Sequence, residues 1–308
     1  MNTDLAPEAV EYGLTARRAI EAAGGDELAQ AAERESDRRV GDKVLDDLGA
    51  WDLDPRGSAD ELEAAAALCR AAGWWALPHP VAERLARPRD LDADALVVVA
   101  APGPAGAVDG VDLRWVAVDL DGRRSRATPR PADDPVRTSG FVAALDIAPV
   151  DDAGAGDLAL GLVLPCWTLL GMLDRAMGLT SAYVQQRHQF GQPLSSFQGV
   201  QFQLTDAEVE RVGLEELARY ALWSLEAGRP DAIEDALALR LAAIEAADVV
   251  FRITHQLHGA IGFCDETTLS WLSRASQPLR RLPLGLSATR AALTARLGRQ
   301  GLAGLFGP

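Results

Sequence analysis

The sequence YVQQRHQFGQPL occupies residues 183–194, and FQGVQ follows it at residues 197–201. It comes at the end of a long helical pattern, residues 157–187, that is apolar on most faces, as in a helix buried inside a bundle. Its arginine and glutamine side chains, with a phenylalanine and a glycine, can bind a phosphate and stack on a ring. On chemistry alone a solvated helix end is the better explanation of these residues, because basic side chains favour that end. The segment therefore predicts a helical bundle and leaves its binding role open.

Three further helical stretches follow. The first spans about residues 196–227, the second ends near His258, and the third closes the chain. Glycines, prolines and a capping box mark their ends: Gly228, Pro230, Asp231 with Glu234, Pro278 and Pro283. The pattern predicts a C-terminal four-helix bundle over residues 153–308.

Two other patterns precede the bundle. Residues 14–36 and 58–73 place Ala, Leu and Glu in helical spacing, and they predict an N-terminal helical domain over residues 1–90. Short β-branched runs between turns then predict a reduced β-domain over residues 91–152. The expected fold class is mainly α with a small β-domain. The expected helix stops are Gly24, Gly25 and Gly73. The expected strands are Leu96–Ala100, Arg114–Leu120 and Phe141–Ile147. The expected turns are Pro102-Gly103-Pro104 and Asp121-Gly122.

The composition excludes several classes of function. The chain of 308 residues has 45 acidic and 30 basic residues, a formal net charge of −15, which argues against general affinity for nucleic acid or anionic membranes. No apolar run reaches the roughly 18 uncharged residues that a membrane helix needs. The first ten residues lack the features of a secretory signal. We expect no nucleic-acid or membrane partner and a cytoplasmic location.

Cysteines and histidines do not predict a disulfide or a metal site. Cys69, Cys166 and Cys264 are widely separated, so we expect buried free thiols. His255 and His258 lie three apart on a predicted helix, a spacing that a metal could use, but no nearby carboxylate or thiolate completes the ligand set. For both histidines we expect ordinary packing at a helix end.

A second segment, QLHGAIGF at residues 256–263, follows about 70 residues after the first. Alone it would be a helix C-cap, although its small residues also let a ligand or another helix approach the backbone. Together, the two segments resemble the C-terminal domain of acyl-CoA dehydrogenases, whose signatures are R-x-x-F-G, a following phenylalanine or histidine with glutamine, and a later Q-x-x-G-G-x-G. The resemblance covers about residues 157–275, and the rest only by domain order. Ala260 replaces the second glycine of the later signature.

This resemblance implies FAD as the cofactor. In the family, the matched residues of one subunit hold the diphosphate and adenine end of an FAD that is bound mainly by the dimer partner. The residues that would do so here are Arg187, Gln189, Phe190, Gln198, Gln256 and Gly259.

The family's catalytic base has no counterpart in this sequence. Dehydrogenation of an acyl-CoA needs a carboxylate that removes the α-proton while the flavin accepts the β-hydride. The usual position, nine residues after the matched Arg274, is Pro283, and a slip of one residue gives Leu284. The alternative position on the first bundle helix is Gly161, where Leu162 also replaces the usual arginine. The resemblance therefore implies no catalytic residue in this chain.

The β-domain also departs from the family pattern. Residues 101–105 (APGPA) and 115–117 (WVA) match the family's flavin-binding segments poorly. This chain keeps the residues that one subunit contributes to its neighbour's FAD site, and it lacks the catalytic base. In this it resembles the shorter, catalytically degenerate subunits of heterotetrameric acyl-CoA dehydrogenases of actinobacterial steroid side-chain catabolism. Residues 76–83 (ALPHPVAE) look like that group as well. The resemblance implies a longer catalytic partner that supplies the base and most of the acyl-CoA site, with a steroid side-chain CoA thioester as substrate.

Two alternatives stay open. One is a self-sufficient dehydrogenase that uses Asp157 or Glu266 as a relocated base. The other is an FAD-free acyl-CoA-binding or scaffold protein. A further feature concerns the carboxyl-terminal segment, which has no carboxylate from Thr267 onward and which we expect to face either an acidic partner surface or solvent. Its arginines are Arg274, Arg280, Arg281, Arg290, Arg296 and Arg299.

Overall fold

The computed structural model describes residues 3–35, 37–130 and 141–300. Its N-terminal part is helical, as expected, but the predicted helix over residues 14–36 is two helices. The chain turns between them at Gly24 and Gly25, whose positive φ values of 129° and 52° favour glycine. The helices are α1 (Pro7–Ala22), α2 (Asp26–Glu35), α3 (Asp42–Asp47), α4 (Ala59–Trp74) and α5 (Val81–Leu85), with a 3-10 turn at Arg38–Gly41.

A five-stranded sheet follows the N-terminal helices. Strand order is β1-β3-β4-β5-β2; β1 and β3 are parallel, and the other pairs are antiparallel. The predicted Asp121-Gly122 turn joins β3 to β4, and Gly122 has a φ of 82°. One face covers a small apolar core that includes Trp115 and Leu145. The strands are β1 (Ala95–Val98), β2 (Ala105–Gly106), β3 (Trp115–Val118), β4 (Arg124–Pro129) and β5 (Ala143–Asp151).

The remaining helices form a bundle around α6. This helix packs against α4, α7 and α8, and Leu158, Trp167 and Leu170 on it are fully buried. It is long and apolar enough to cross a membrane, but 78% of its most apolar window is buried inside the protein, as in a core helix. The fold is therefore mainly α with a small sheet. The helices are α6 (Ala155–Gln186), α7 (Gln198–Glu226), α8 (Ala232–His258), α9 (Thr268–Ala275), α10 (Gln277–Arg281) and α11 (Leu286–Gln300).

Two glycines set the close crossing of α4 and α6. A Cβ on Gly73 would lie 1.9 Å from the Thr168 carbonyl oxygen, and one on Gly171 would lie 2.0 Å from the Arg70 carbonyl oxygen. Gly73, expected as a helix stop, therefore lies inside α4 as a contact point between the helices. This crossing fixes the position of the segment that follows α4, which lines the central cavity described below.

Three local expectations are wrong. The Asp231–Glu234 capping box does not form, because Asp231 has φ −92° and ψ 11° and its side chain accepts no cap hydrogen bond. Glu234 instead lies 3.7 Å from Arg296. Of the three thiols, Cys69 and Cys166 are buried, but Cys264 is exposed.

The third concerns the basic carboxyl-terminal segment, which pairs with this chain's own carboxylates. Three of its arginines contact acidic residues of α8, and one contacts the turn after α8. Carboxylates of α8 thus pair with three of the six arginines of the tail, and Asp265 pairs with a fourth. The pairs are Arg280–Asp248 at 2.7 Å, Arg290–Glu245 at 2.6 Å, Arg296–Glu234 at 3.7 Å and Arg274–Asp265 at 2.9 Å.

Candidate functional site

A two-residue turn presents Phe190 to solvent. After α6 ends at Gln186, the short strands β6 (His188–Gln189) and β7 (Gln192–Pro193) pair in a hairpin. Phe190 and Gly191 at its tip have φ values of 53° and 82°, the geometry of a turn that needs positive φ at both central residues. A phenylalanine in this region costs roughly 1 to 3 kcal/mol. Its ring is nevertheless 92% exposed, so packing within this chain does not compensate the cost.

Arg187 lies at the base of the same hairpin. Its carbonyl oxygen accepts a hydrogen bond from Leu194 N at 2.8 Å, and its side chain is exposed. No described side chain pairs with its guanidinium. Gln198 begins α7 just beyond, and this helix has neither a side-chain cap nor an acidic residue in its first turn. An unpaired cation and an open helix amino end on one segment favour an anion.

Ring stacking brings the second motif to the same end of the bundle. The Tyr183 and His258 rings stack with centroids 4.4 Å apart, which joins the ends of α6 and α8. Gln256 is exposed there, and Gly259 ends α8 with φ 65° and ψ −147°. A Cβ on Gly259 would meet nothing within 4 Å, so glycine is needed there for its backbone conformation. The two motifs, distant in sequence, therefore lie side by side.

The histidine pair has the expected role in packing. The His255 ring stacks on Phe263 at 4.3 Å, and His258 Nδ1 donates a hydrogen bond to the Thr254 carbonyl oxygen at 2.9 Å. Burial lowers the pKa of both imidazoles, which favours neutral rings. Within the described ranges no three His, Cys, Asp or Glu residues form a group that could hold a metal ion.

The two base positions of the family meet at one small apolar cavity. Gly161, Leu162 and Pro283 line this cavity of about 60 Å³. A Cβ on Gly161 would lie 2.9 Å from Val98 Cγ2 and 3.1 Å from Leu96 Cδ2, so a glutamate there would have to push these two side chains of β1 aside. Neither position presents a carboxylate.

A buried arginine holds the chain at one of these base positions. Arg240 Nη1 donates to the Leu279 carbonyl oxygen at 3.0 Å, and its Nη2 donates to the carbonyl oxygens of Leu282 at 2.5 Å and Leu284 at 2.7 Å. The guanidinium therefore has a structural role in fixing the segment that contains Pro283.

The alternative bases are also placed unfavourably. Asp157 is buried in an ion-pair network, with its carboxylate 2.5 Å from Arg56 and 3.3 Å from Arg124. Glu266 lies exposed in the turn between α8 and α9. Neither residue lines the two cavities of the site.

The structure reveals a carboxylate that the sequence patterns did not single out. A central cavity of about 360 Å³ lies between the α4–α5 segment, α6 and the α9–α10 segment. Glu83 lines both this central cavity and the small one, and burial raises the pKa of its carboxyl group. The only local signal was an acidic residue within the apolar stretch at 76–83.

Comparison with known proteins shows similarity to one family over less than half of the chain. Residues 157–295 match the acyl-CoA dehydrogenase C-terminal domain. Acyl-CoA dehydrogenase FadE28 of Mycobacterium tuberculosis is 33% identical over 150 residues, which are 48% of this chain and 44% of that protein. The chain spans less than half the length of the curated relatives it matches.

Solved structures extend the likeness to the whole fold. A chain of the ChsE4-ChsE5 complex from Mycobacterium tuberculosis matches with a TM-score of 0.76 at 18% identity. The match covers 98% of the present chain and 100% of the matched chain. The Tcur3481-Tcur3483 steroid ACAD has a TM-score of 0.74 at 20% identity, with coverages of 95% and 98%. At such identities the likeness shows the fold alone. The domain match therefore shows similarity to acyl-CoA dehydrogenases over residues 157–295, and the solved structures show that the rest of the chain shares their fold.

Proposed function

We propose that this chain is a non-catalytic subunit of a heteromeric FAD-dependent acyl-CoA dehydrogenase. Its residues bind the diphosphate and adenine end of an FAD that is held mainly by a longer catalytic partner. The observation that carries the proposal is the outward presentation of Arg187 and Phe190 at the end of the bundle where Tyr183 stacks on His258, the residue before Gly259. Side chains that face away from their own chain's cavities suit a ligand held by a neighbour.

The exposed groups fit the adenine and diphosphate end of FAD. Homologues in this family depend on FAD, which supplies hydride acceptance when bound. Arg187 and the uncapped amino end of α7 would hold the diphosphate, since both favour negative charge. Phe190, which lies edge-on to Phe197 at 6.3 Å, has an open face on which a ring could stack. Gln189, Gln198 and Gln256 add exposed amides that can hydrogen-bond to the ligand.

Exposed apolar side chains support a partner subunit. A monomeric surface rarely leaves many large apolar side chains together in water. Four lie along α7, and two lie in the turn after α8, next to the proposed FAD side. We infer that a second subunit of a heterotetramer covers them. They are Phe202, Val209, Val212 and Leu217, and Ile261 and Phe263.

The partner would supply the catalytic base and bind most of the acyl-CoA. This follows from the two base positions, which hold Gly161 and Pro283, and from the ion pairs that engage Asp157. For the substrate we infer an acyl-CoA with a steroid side chain, supported by the likeness to a steroid ACAD. The reaction would be α,β-desaturation in the cytoplasm.

Co-expression tests the proposal. The chain produced alone should be poorly soluble or misassembled and should contain no flavin. Produced with a longer acyl-CoA dehydrogenase homologue that carries a glutamate at the family's base position, it should form a complex with one FAD per heterodimer. Stoichiometric FAD in an active preparation of the chain alone would refute the proposal. A stable, flavin-free complex that binds acyl-CoA would favour a scaffold role instead.

A further inference from the structure

A groove opens on the side of the protein where the first helix meets the bundle. Residues of α1, α4, α6 and α7 line it, and we call it the α1 groove. Its volume is about 470 Å³, within the range of ligand pockets, roughly 300 to 1,000 Å³. The α1 groove shares no lining residue with the central cavity, so the two are separate spaces.

The wall of the α1 groove is apolar along α1 and α4. A Cβ on Gly13 of α1 would lie 3.0 Å from the Ala67 Cβ, so the two helices approach closely beside the groove. Ala71, one turn further along α4, lines it as well. Val10 and Leu14 of α1 are 46% and 38% exposed on the same wall. The apolar side chains on this concave wall favour a ligand with an apolar body.

Four of the charged side chains that line the α1 groove are paired with one another. Arg70 donates from Nε to Asp174 at 2.6 Å. Arg211 donates from Nη1 to Asp174 at 2.9 Å and from Nη2 to Glu208 at 2.7 Å. Both guanidinium groups also donate to Glu215, which does not line the groove. These four side chains therefore already have partners within the chain.

Arg17 is the remaining charged side chain on the wall, and it has no such partner. Its guanidinium lies over the Trp74 ring, 3.9 Å from the centroid. No carboxylate or carbonyl group in the described part of the chain accepts a hydrogen bond from it. Stacking occupies the flat face of a guanidinium, whereas its N–H donors lie in the plane and stay available. A carboxylate matches this planar set of donors with two parallel hydrogen bonds.

We propose that the α1 groove binds a small amphipathic carboxylate. The charged group pairs with Arg17, and the apolar body lies along Val10, Leu14 and Met177. A cationic ligand would be repelled by Arg17, and an uncharged one would leave its guanidinium without a counter-charge. This site is independent of the proposed function, because none of the side chains assigned to FAD or to the partner interface lines the groove.

Three ligands with similar alkyl chains test the site by isothermal titration calorimetry. They are octanoate, its neutral isostere octanamide and the cation octylammonium, each titrated into the full chain in the assembly in which it is purified. Octanoate should fill one site per copy of this chain, about 10-fold more tightly than octanamide, as one charge-assisted hydrogen bond implies. Octylammonium should bind more weakly than either. Equal affinity for octanoate and octanamide, or tighter binding of octylammonium, would overturn the proposal.

Substitutions on α1 identify the group responsible. Arg17→Gln should remove the preference for octanoate over octanamide, whereas Arg17→Lys, which keeps the positive charge, should retain part of it. Leu14→Ala should weaken the binding of both ligands by a similar factor, because it shortens the apolar wall. Arg18→Gln is the matched control, since Arg18 is exposed and lies 3.8 Å from Glu11, and it should bind as the unsubstituted chain does. An unchanged preference in Arg17→Gln, or an equal loss in Arg18→Gln, would contradict the assignment.

Two further results would also count against a small ligand in the α1 groove. If a carboxylate of the partner subunit fills the groove, octanoate will not bind saturably to the assembly, and the proposal is then wrong. Flavin content should be the same in the unsubstituted protein and in all four variants. A loss of flavin in Arg17→Gln alone would assign Arg17 to the FAD site instead.

Discussion

The Tyr183 ring stacks on the His258 ring, with centroids 4.4 Å apart and planes 16° from parallel. Tyr183 lies one turn before Arg187, and His258 precedes Gly259, so this contact joins the two halves of the proposed FAD surface. Removing it should weaken FAD binding without removing any group that contacts FAD. Aromatic pairs contribute roughly 0.5 to 1.5 kcal/mol beyond the area they bury.

We expect Tyr183→Leu to weaken FAD binding by the complex about 3- to 10-fold, because α6 and α8 lose their fixed spacing. Tyr183→Phe keeps the stacked ring and loses only a long hydrogen bond of 3.5 Å to the His258 carbonyl oxygen, so its affinity should be close to the unsubstituted value. Titration of FAD into the apo-complex, followed by fluorescence quenching, measures both. Equal losses in the two variants would show that the ring stacking is not responsible.

Arg187→Ala tests the proposed diphosphate contact directly. A charge-assisted hydrogen bond contributes roughly 1.5 to 3 kcal/mol, so the variant should retain FAD about 10- to 150-fold less tightly. Catalysis should recover when FAD is added in excess. Arg18→Ala, at an exposed position of α1, is the control and should bind FAD normally. If Arg187 only stabilises the end of α6, its loss should cost at most about 1 kcal/mol of stability and leave FAD affinity unchanged.

The long helices could be predicted from sequence because helical period and stop signals are local properties. The pattern over residues 157–187 corresponds to α6 (Ala155–Gln186), and that over 196–227 corresponds to α7 (Gln198–Glu226). The capping box does not form, because Asp231 has φ −92° and ψ 11° and accepts no cap hydrogen bond, and Glu234 lies 3.7 Å from Arg296 of α11. Local sequence does not show which distant side chain competes for a carboxylate.

Part of the candidate site could not be predicted from the sequence either. Family motifs pointed to Arg187 and Gly259, but they could not show that stacking of Tyr183 on His258 joins their helices. Nor could they identify Glu83, because its cavity depends on the close crossing of α4 and α6 and on segments about 190 residues away in the chain. A cavity is a property of packing, and no short pattern describes it.

The ion pairs of Asp157 separate a structural role from a catalytic one. We expect Asp157→Asn to lower the melting temperature of the complex, because breaking a buried ion pair leaves Arg56 and Arg124 with less compensation. Turnover per folded complex should stay nearly unchanged, and so should that of Glu266→Gln. Neutralising the partner's glutamate should reduce the rate roughly 100- to 10,000-fold. A loss of that size in Asp157→Asn or Glu266→Gln would mean that this chain supplies the catalytic base.

The raised pKa of Glu83 gives stability a defined dependence on pH. Burial raises the pKa of this carboxyl group above its ordinary value of 4.5, so the folded protein holds the proton more tightly than the unfolded chain. Its contribution to stability is therefore fully present below about pH 4.5 and is lost as the pH rises through the folded value. Above 4.5, the free energy of unfolding should fall by up to about 1.4 kcal/mol per pH unit from this group.

Glu83→Gln removes this titration and should leave the other groups as they are. Two other titratable side chains lie near Glu83. Burial lowers the pKa of His79 to about 3 and that of Arg38 to about 10, so neither side chain changes charge between pH 5 and 8. The stability of the unsubstituted complex relative to Glu83→Gln should therefore decline above pH 4.5 and level off once the pH has passed the folded pKa of Glu83. The exposed Glu8→Gln control should show no such trend, because its carboxylate is solvated in both states. Urea unfolding at several pH values measures these differences. Only a group whose proton affinity differs between the folded and unfolded states couples stability to pH. If the difference in free energy of unfolding between the unsubstituted complex and Glu83→Gln does not vary with pH, Glu83 ionises as an ordinary solvated carboxylate.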